Sequence, residues 1–470
     1  MFSASTLDAE GKIYFTNLIS YIHKYSEQDF SSFLLSLKNN KHDEYIQLIK
    51  NEYHLYRIID FKSLIIHEQT HFLDLTSSIW GLEFNIRKNN YILSKKNSEE
   101  QKNALYVFSL NYAEVLKMHR GFNENKNSLF DYRKVSNYKH FYHYDKYVGV
   151  ALEIQLNYEN SSISVPVSML SVLESHAFSN EYLSKYADIF QIKNKIIRRK
   201  ITKQIDENYI NFMNNPIYHE YNILLKLINI HYSKLGLNVV QNLRLCSAIM
   251  GLCLDMGGTL MSSISNNIYK TIESHYKYSI KADWMRGCSR HILAMKIILL
   301  MYDYVKSLKI LEKEKIKNLL KYNPLMAINK FIEILTNSFE SLKKIEEMEK
   351  VKILEILQKK PYANSNIFFD SFIDNNMTYM NSQYVLKNLN NYKLLNMFRD
   401  DDNLVDNFIE FPLNLDIDIE KYSNNPDVEK LSAIDEVLTL DKLKKFHMLN
   451  SEAKKMVTAS SFSDEFKYVY

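Results

Sequence analysis

Apolar residues recur at intervals of three and four along most of the chain, a spacing that predicts a protein built largely of amphipathic helices. Over residues 6–51 the pattern runs through Phe15, Leu18, Ile19 and Ile22 and again through Phe33, Leu34 and Leu37, which predicts short helices. A longer helix is expected over about 61–76. Asp60 or Ser63 can cap its start, and it carries Leu64, Ile65, His67, His71, Phe72 and Leu75 before the Thr76-Ser77-Ser78 cluster and Gly81. Residues 88–102 are rich in lysine and asparagine and read as a loop, after which 104–118 returns to helical spacing.

The period changes to two between 148 and 167. Leu152, Ile154, Leu156 and Tyr158 alternate with Glu153, Gln155 and Asn157, Glu159-Asn160-Ser161 supplies a turn, and Ile163, Val165 and Val167 resume the alternation. One β-hairpin over 148–167 is therefore expected. Helical spacing returns over 168–190 with Leu170, Leu173, Ala177 and Leu183 and persists to about residue 395. Breaks are expected at Pro216, at Gly257-Gly258 and at Lys359-Lys360-Pro361. The acidic run 399–403 and the stretch 412–427 read as a linker before a small terminal helical piece, and no repeat of 20 to 50 residues stands out. The chain thus divides into 1–235, an α-helical region 236–395, and an acidic linker with a small helical piece, 396–470.

Composition narrows the function. The 470 residues carry 59 Lys+Arg against 55 Asp+Glu, a net charge of +4, so no bulk field draws the chain to nucleic acid or a membrane. Only 9 glycines and 6 prolines argue against turn-rich β architecture. None of the glycines is spaced as G-x-G-x-x-G or begins a G-x-x-x-x-G-K-[ST] loop, so the usual backbone cradles for dinucleotides and nucleoside triphosphates are missing. The three cysteines, Cys246, Cys253 and Cys288, form no C-x-x-C pair and are too few for a disulfide framework, which fits a reducing compartment. No basic segment followed by an apolar stretch opens the chain, and the longest apolar runs, 245–254 and 297–301, fall short of the roughly 20 residues of a membrane span. A cytoplasmic protein is expected. Heavy use of Lys, Asn, Ile, Tyr and Phe suggests an AT-rich, bacterial genome.

One motif carries chemistry: His67-Glu68-Gln69-Thr70-His71, inside an apolar helical pattern. Histidines four apart stand one turn above each other on the same helical face, so both imidazoles can reach one ion at about 2.0–2.1 Å. Glu68 follows the first histidine directly, which carries its carboxylate to the flank of the ion, where it can take a proton from a metal-bound water.

The motif resembles the H-E-x-x-H active-site helix of the zincin metallopeptidases. That resemblance implies a zincin-like core with zinc (Zn2+) held by the two histidines, Glu68 as general base, and a third protein ligand from further along the chain. The zincin branch with a third histidine six residues after the second does not fit, because Ser77 stands there. The gluzincin branch, with a downstream glutamate ligand, points to Glu174 in Leu173-Glu174-Ser175-His176-Ala177, which is similar to the L-E-x-x-A motif of that family's second helix. His176 competes for the same role, but two residues on it points to nearly the opposite face. Gluzincins commonly align a peptide along a strand before the motif helix. Here the hairpin follows it, and 152–158 or 163–167 is the expected edge for an extended peptide.

Asp74 lies on the His67 side of the motif helix, where it can hold a ligating imidazole by its other nitrogen or stand at the surface. Tyr218, His219 and His231 follow Pro216 and are candidates to donate to a developing oxyanion. Cys246 and Cys253 read as buried thiols. The basic run 193–203 reads as a solvated helix face in preference to a phosphate contact.

The leading expectation is a zinc-dependent endopeptidase acting on a protein or peptide substrate, with 1–235 as the catalytic region. The helical bulk beyond it would serve substrate choice or a regulatory partner, and that architecture suggests a bacterial toxin-like or phage-defence role. The competing expectation is a helical interaction or regulatory protein in which the metal site is inactive or structural; a structural zinc is closed by four protein ligands, and His176 turned inward is the candidate fourth. A nucleic-acid binder through 193–203 is the third and least favoured reading.

Overall fold

The computed structural model describes residues 41–84, 130–145, 149–158, 161–336 and 339–357, together with 13–14, 32, 36, 386–387 and 410–411. The loop 88–102, the helix over 104–118, most of the helices expected before residue 41, the break at 359–361 and, apart from 410–411, the linker and terminal piece beyond 396 lie outside the described residues. Within them the protein is mainly helical with a three-stranded antiparallel sheet, and Ile13–Tyr14, expected in a helix, instead pairs as a two-residue antiparallel strand with Glu410–Phe411.

Helix α1 (His42–Leu48) precedes the motif helix α2 (Glu52–Thr76), whose cap is Asn51: its side chain accepts from the His54 backbone N–H at 3.0 Å. The helix therefore starts about ten residues before Asp60 and Ser63. Leu55, Ile58 and Ile59 extend the buried stripe backwards, and neither expected cap serves as one. Ser63 Oγ donates to the Asp60 carbonyl one turn back, and Asp60 pairs with a lysine of another helix.

The sheet has three strands in the order β1 (Val135–Asp145), β2 (Gly149–Tyr158), β3 (Ser161–Val167). The hairpin read from sequence is β2–β3, with Leu152 opposite Val167, Ile154 opposite Val165 and Leu156 opposite Ile163. Strand β1 adds on the other side of β2, with Tyr142 opposite Leu152. Both edges of β2 are thus occupied, so 152–158 cannot receive an added peptide strand, and 163–167 is an edge whose Pro166 has no N–H to offer.

Strand β3 runs through Ser168 into α3 (Met169–Gln191), where the Ser168 backbone N–H donates to Ser171 Oγ at 3.2 Å. Helix α3 is buried on nearly every side because α1, α2, α4 (Lys195–Asn214), α5 (His219–Tyr232), α6 (Val239–Asp255) and α9 (Arg290–Ser307) all pack on it. Between α6 and α9 come α7 (Gly258–Ile268) and α8 (Lys277–Met285), and α10 (Ile310–Tyr322), α11 (Pro324–Thr336) and α12 (Phe339–Leu357) follow. The chain breaks at the expected places: a short turn at Pro216–Tyr218 separates α4 from α5, and Gly257-Gly258 separates α6 from α7. One hydrophobic core runs from Ile46 to Phe339. Among the described residues no single helix is long and apolar enough to cross a membrane. Cys246 and Cys253 are fully buried in α6, and burial pushes both thiols up to about 12, so they pack as small apolar groups.

Candidate metal centre

A buried helix cannot leave polar side chains unpaired, and α3 meets this constraint by aiming its polar residues at those of α2. Glu174, His176, Asn180, Glu181, Lys185 and Asp188 are all buried, as are Lys62, His67, Thr70, His71 and Asp74 opposite. At the centre of this interface His67, His71 and Glu174 bring one ligand atom each within 4.8 Å of one another. The separations are 3.2 Å between the two Nε2 atoms, 3.7 Å from His67 Nε2 to Glu174 Oε2 and 3.7 Å from His71 Nε2 to Glu174 Oε1. Bonds of 2.0–2.1 Å to a tetrahedral ion put neighbouring donors roughly 3.3 Å apart, so the three groups nearly match the edges of such a site.

The second nitrogen of His67 decides what the first can do. Glu181, two turns beyond Glu174 on the same face of α3, places Oε2 3.1 Å from His67 Nδ1. Burial pushes the Glu181 carboxyl up, but the Lys185 ammonium and the hydrogen bond from His67 outweigh it and hold the group down at about 2. An ionised carboxylate only accepts, so Glu181 takes the His67 Nδ1 proton, and in a neutral His67 this leaves the lone pair on Nε2, the nitrogen that faces His71 and the Glu174 carboxylate. A lone pair facing a carboxylate at 3.7 Å is a donor pair with a cation's place between them, and on that ground the residues fit a divalent ion. His67, His71 and Glu174 are 3%, 5% and 3% exposed.

Glu68 lies on α2 beside His67, and its side chain is outside the described part of the structure. The Asp74 carboxylate accepts its hydrogen bonds from His176 and feels the His71 ring only through space. It pairs with His176, whose Nδ1 lies 2.9 and 3.0 Å from the two carboxylate oxygens. His176 is therefore turned away to a partner of its own, and its Nε2 makes no hydrogen bond among the described residues. The role foreseen for Asp74 falls to Glu181, which sequence reasoning missed. Its heptad offset from Glu174 was the available signal.

Tyr218 is half-buried and two rings removed from the centre: it packs on Phe212 at 5.1 Å, Phe212 stacks on Phe178 at 3.5 Å, and Phe178 meets the His67 ring edge-on at 5.8 Å. His219 and His231 make their polar contacts elsewhere. His219 Nδ1 is hydrogen-bonded with the buried Lys226 Nζ beneath the Phe130 ring, and burial followed by Lys226 pushes the His219 pKa down to about 2. His231 Nε2 lies 3.1 Å from the Tyr138 hydroxyl of β1. The basic run occupies the start of α4, where Lys195, Arg199, Lys200 and Lys203 are exposed and Lys200 reaches Glu52 at 2.9 Å.

No family model matches the chain, and no match is found among curated proteins or solved structures.

Proposed function

We propose that the protein is a metal-dependent hydrolase, most specifically a zinc endopeptidase of a protein or peptide substrate. The observation that carries this reading is the convergence of His67, His71 and Glu174 from two helices, with Glu181 fixing the His67 tautomer. Two imidazoles and one carboxylate leave a fourth position for water or substrate, as catalytic zinc sites do. A zinc ion held there polarises a carbonyl and acidifies a water molecule. The chain supplies the rest. His67 and His71 bring their Nε2 atoms to one point because they are one helical turn apart, Glu174 adds the charge that favours a cation, and burial of all three excludes bulk water. Glu68, next to His67 on α2, is the residue to take the proton from the attacking water and return it to the leaving amine. The helices beyond residue 235 are the region assigned to substrate choice or to a regulatory partner, in a toxin-like or phage-defence setting.

A second reading, in which the ion is structural and the protein acts through its helical surfaces, is favoured by the low exposure of all three ligands. Metal analysis of wild type, Glu68→Gln and His67→Ala, combined with a proteome-wide search for new N-termini, separates the two. The peptidase reading expects one zinc in wild type and Glu68→Gln, none in His67→Ala, and cleavage by wild type alone. Zinc in the wild type with no cleavage difference from Glu68→Gln selects the structural reading. Wild type without metal sinks both.

A further inference from the structure

Two buried lysines cross the interface between α2 and α3, and their surroundings differ. Lys62 of α2 pairs with Asp188 of α3 at 2.6 Å and touches His42 Nε2 of α1 at 2.8 Å, so its contacts run away from the metal centre. Lys185 of α3 pairs with Asp60 of α2 at 2.7 Å and with Glu181 at 2.9 Å, above the Tyr182 ring at 4.7 Å. Glu181 spends one oxygen on each neighbour, Oε1 on Lys185 and Oε2 on His67 Nδ1. A continuous line of charge-assisted contacts thus runs Asp60, Lys185, Glu181, His67 and ends at the ion's position.

We infer that Lys185, clamped by Asp60, is a positioning residue for the metal centre: it holds the Glu181 carboxylate behind His67 Nδ1, and the His67 Nε2 lone pair is thereby aimed at the ion. The inference rests on the metal reading above. Its physical basis is that a carboxylate held by a single contact to an imidazole nitrogen is free to turn about its own axis. A lysine fixed from the far side supplies the countercharge, and a single hydrogen bond to each oxygen fixes the plane of the carboxylate. Lys62 is the internal control. It is an equally buried lysine between the same two helices, and its loss should loosen their packing without touching His67.

The test measures Zn2+ affinity by chelator competition and the Co2+ absorption spectrum in the full chain for wild type, Lys185→Met, Lys185→Arg, Glu181→Gln and Lys62→Met. Lys185→Met and Glu181→Gln are expected to weaken Zn2+ binding by about 10–100-fold and to change the Co2+ bands, the usual cost of removing an outer partner of a ligand. Lys185→Arg is expected to recover most of the loss, and Lys62→Met to lower the melting temperature with affinity and Co2+ bands as in wild type. Equal weakening by Lys185→Met and Lys62→Met overturns the inference, because a general loosening of the helices then explains both. Wild-type affinity in Lys185→Met also overturns it while leaving the metal centre standing. Wild type that binds neither ion overturns the inference and the metal reading together. Should Lys185→Met not fold, Asp60→Asn carries the same comparison: weakened affinity beside a normal Lys62→Met supports the inference, and wild-type affinity in Asp60→Asn overturns it.

Discussion

The Asp74 carboxylate takes both of its oxygens to a single donor, His176 Nδ1, at 2.9 and 3.0 Å, where neither side chain meets solvent. Burial pushes the Asp74 carboxyl up, and His176 opposes it, so each residue is tolerable there only because of the other. His176→Ala is expected to cost about 3–5 kcal/mol, the usual penalty for stranding one member of a buried pair, measured by urea unfolding. Asp74→Ala combined with His176→Ala should cost less than the sum of the single changes. Because His176 is engaged with Asp74 and not gathered with the triad, His176→Ala should retain its full complement of zinc, as metal analysis of the folded fraction will show.

Arg290 performs at the end of α6 what a left-handed glycine often does. Its buried guanidinium donates from Nη1 to the carbonyls of Cys253 and Met256 at 2.7 Å and of Leu254 at 3.3 Å, and from Nε to Gly287 at 3.0 Å. A lysine cannot fork to these acceptors, so Arg290→Lys is expected to lose about 2–4 kcal/mol in a denaturant titration. Gly287→Ala should lose about 1–2 kcal/mol: its φ is +75°, and a Cβ there meets Glu83 Oε2 at 3.0 Å.

Glu346 of α12 accepts from the Gly257 backbone N–H at 2.7 Å between α6 and α7. Burial, with Asp255 and Glu349 nearby, pushes its carboxyl up to about 8. Such a group is protonated in both folded and unfolded chains below about pH 4.5. Between there and about 8 the unfolded chain alone ionises, and folding loses free energy as pH rises. Glu346→Gln keeps an oxygen for Gly257 and cannot ionise. It is expected to match wild type near pH 4.5 and to exceed it by about 1–2 kcal/mol at pH 8.5, after allowance for the solvent that reaches a half-buried group. Thermal melts at the two pH values check this.

Zinc should stabilise the fold by mass action, since the centre needs α2 and α3 together. Zn2+ at 100 times its dissociation constant is expected to contribute about 2.7 kcal/mol, and a chelator to remove it. His67→Ala should melt at one temperature with or without either addition.

What the sequence made legible was local. The i, i+4 spacing of His67 and His71 needs nothing but a helix, and Glu174 could be found because a short motif surrounds it. The start of α2 was misplaced because Asp60 and Ser63 are good caps in isolation, while tertiary contacts to Lys185 and within the helix claim both. Strand β1 escaped notice because Tyr138-Lys139-His140-Phe141-Tyr142 puts aromatic rings on both faces and shows no apolar alternation. The heptad offset places Glu181 on the Glu174 face but does not name its partner, and the Asp74–His176 pair has no one-segment signature at all, since each contact is made with a residue about a hundred positions away.

That separation governs when the proposed centre could come into being. His67 and His71 leave the ribosome about a hundred residues before Glu174, and a site with only two of its three ligands holds a divalent ion weakly. Only after roughly a hundred further residues have emerged can α3 bring Glu174 against them with Glu181 and Lys185 behind, closing a loop whose entropic cost grows slowly with its length. A nascent or truncated chain ending before Glu174 therefore displays the histidine motif in full yet has no centre to go with it.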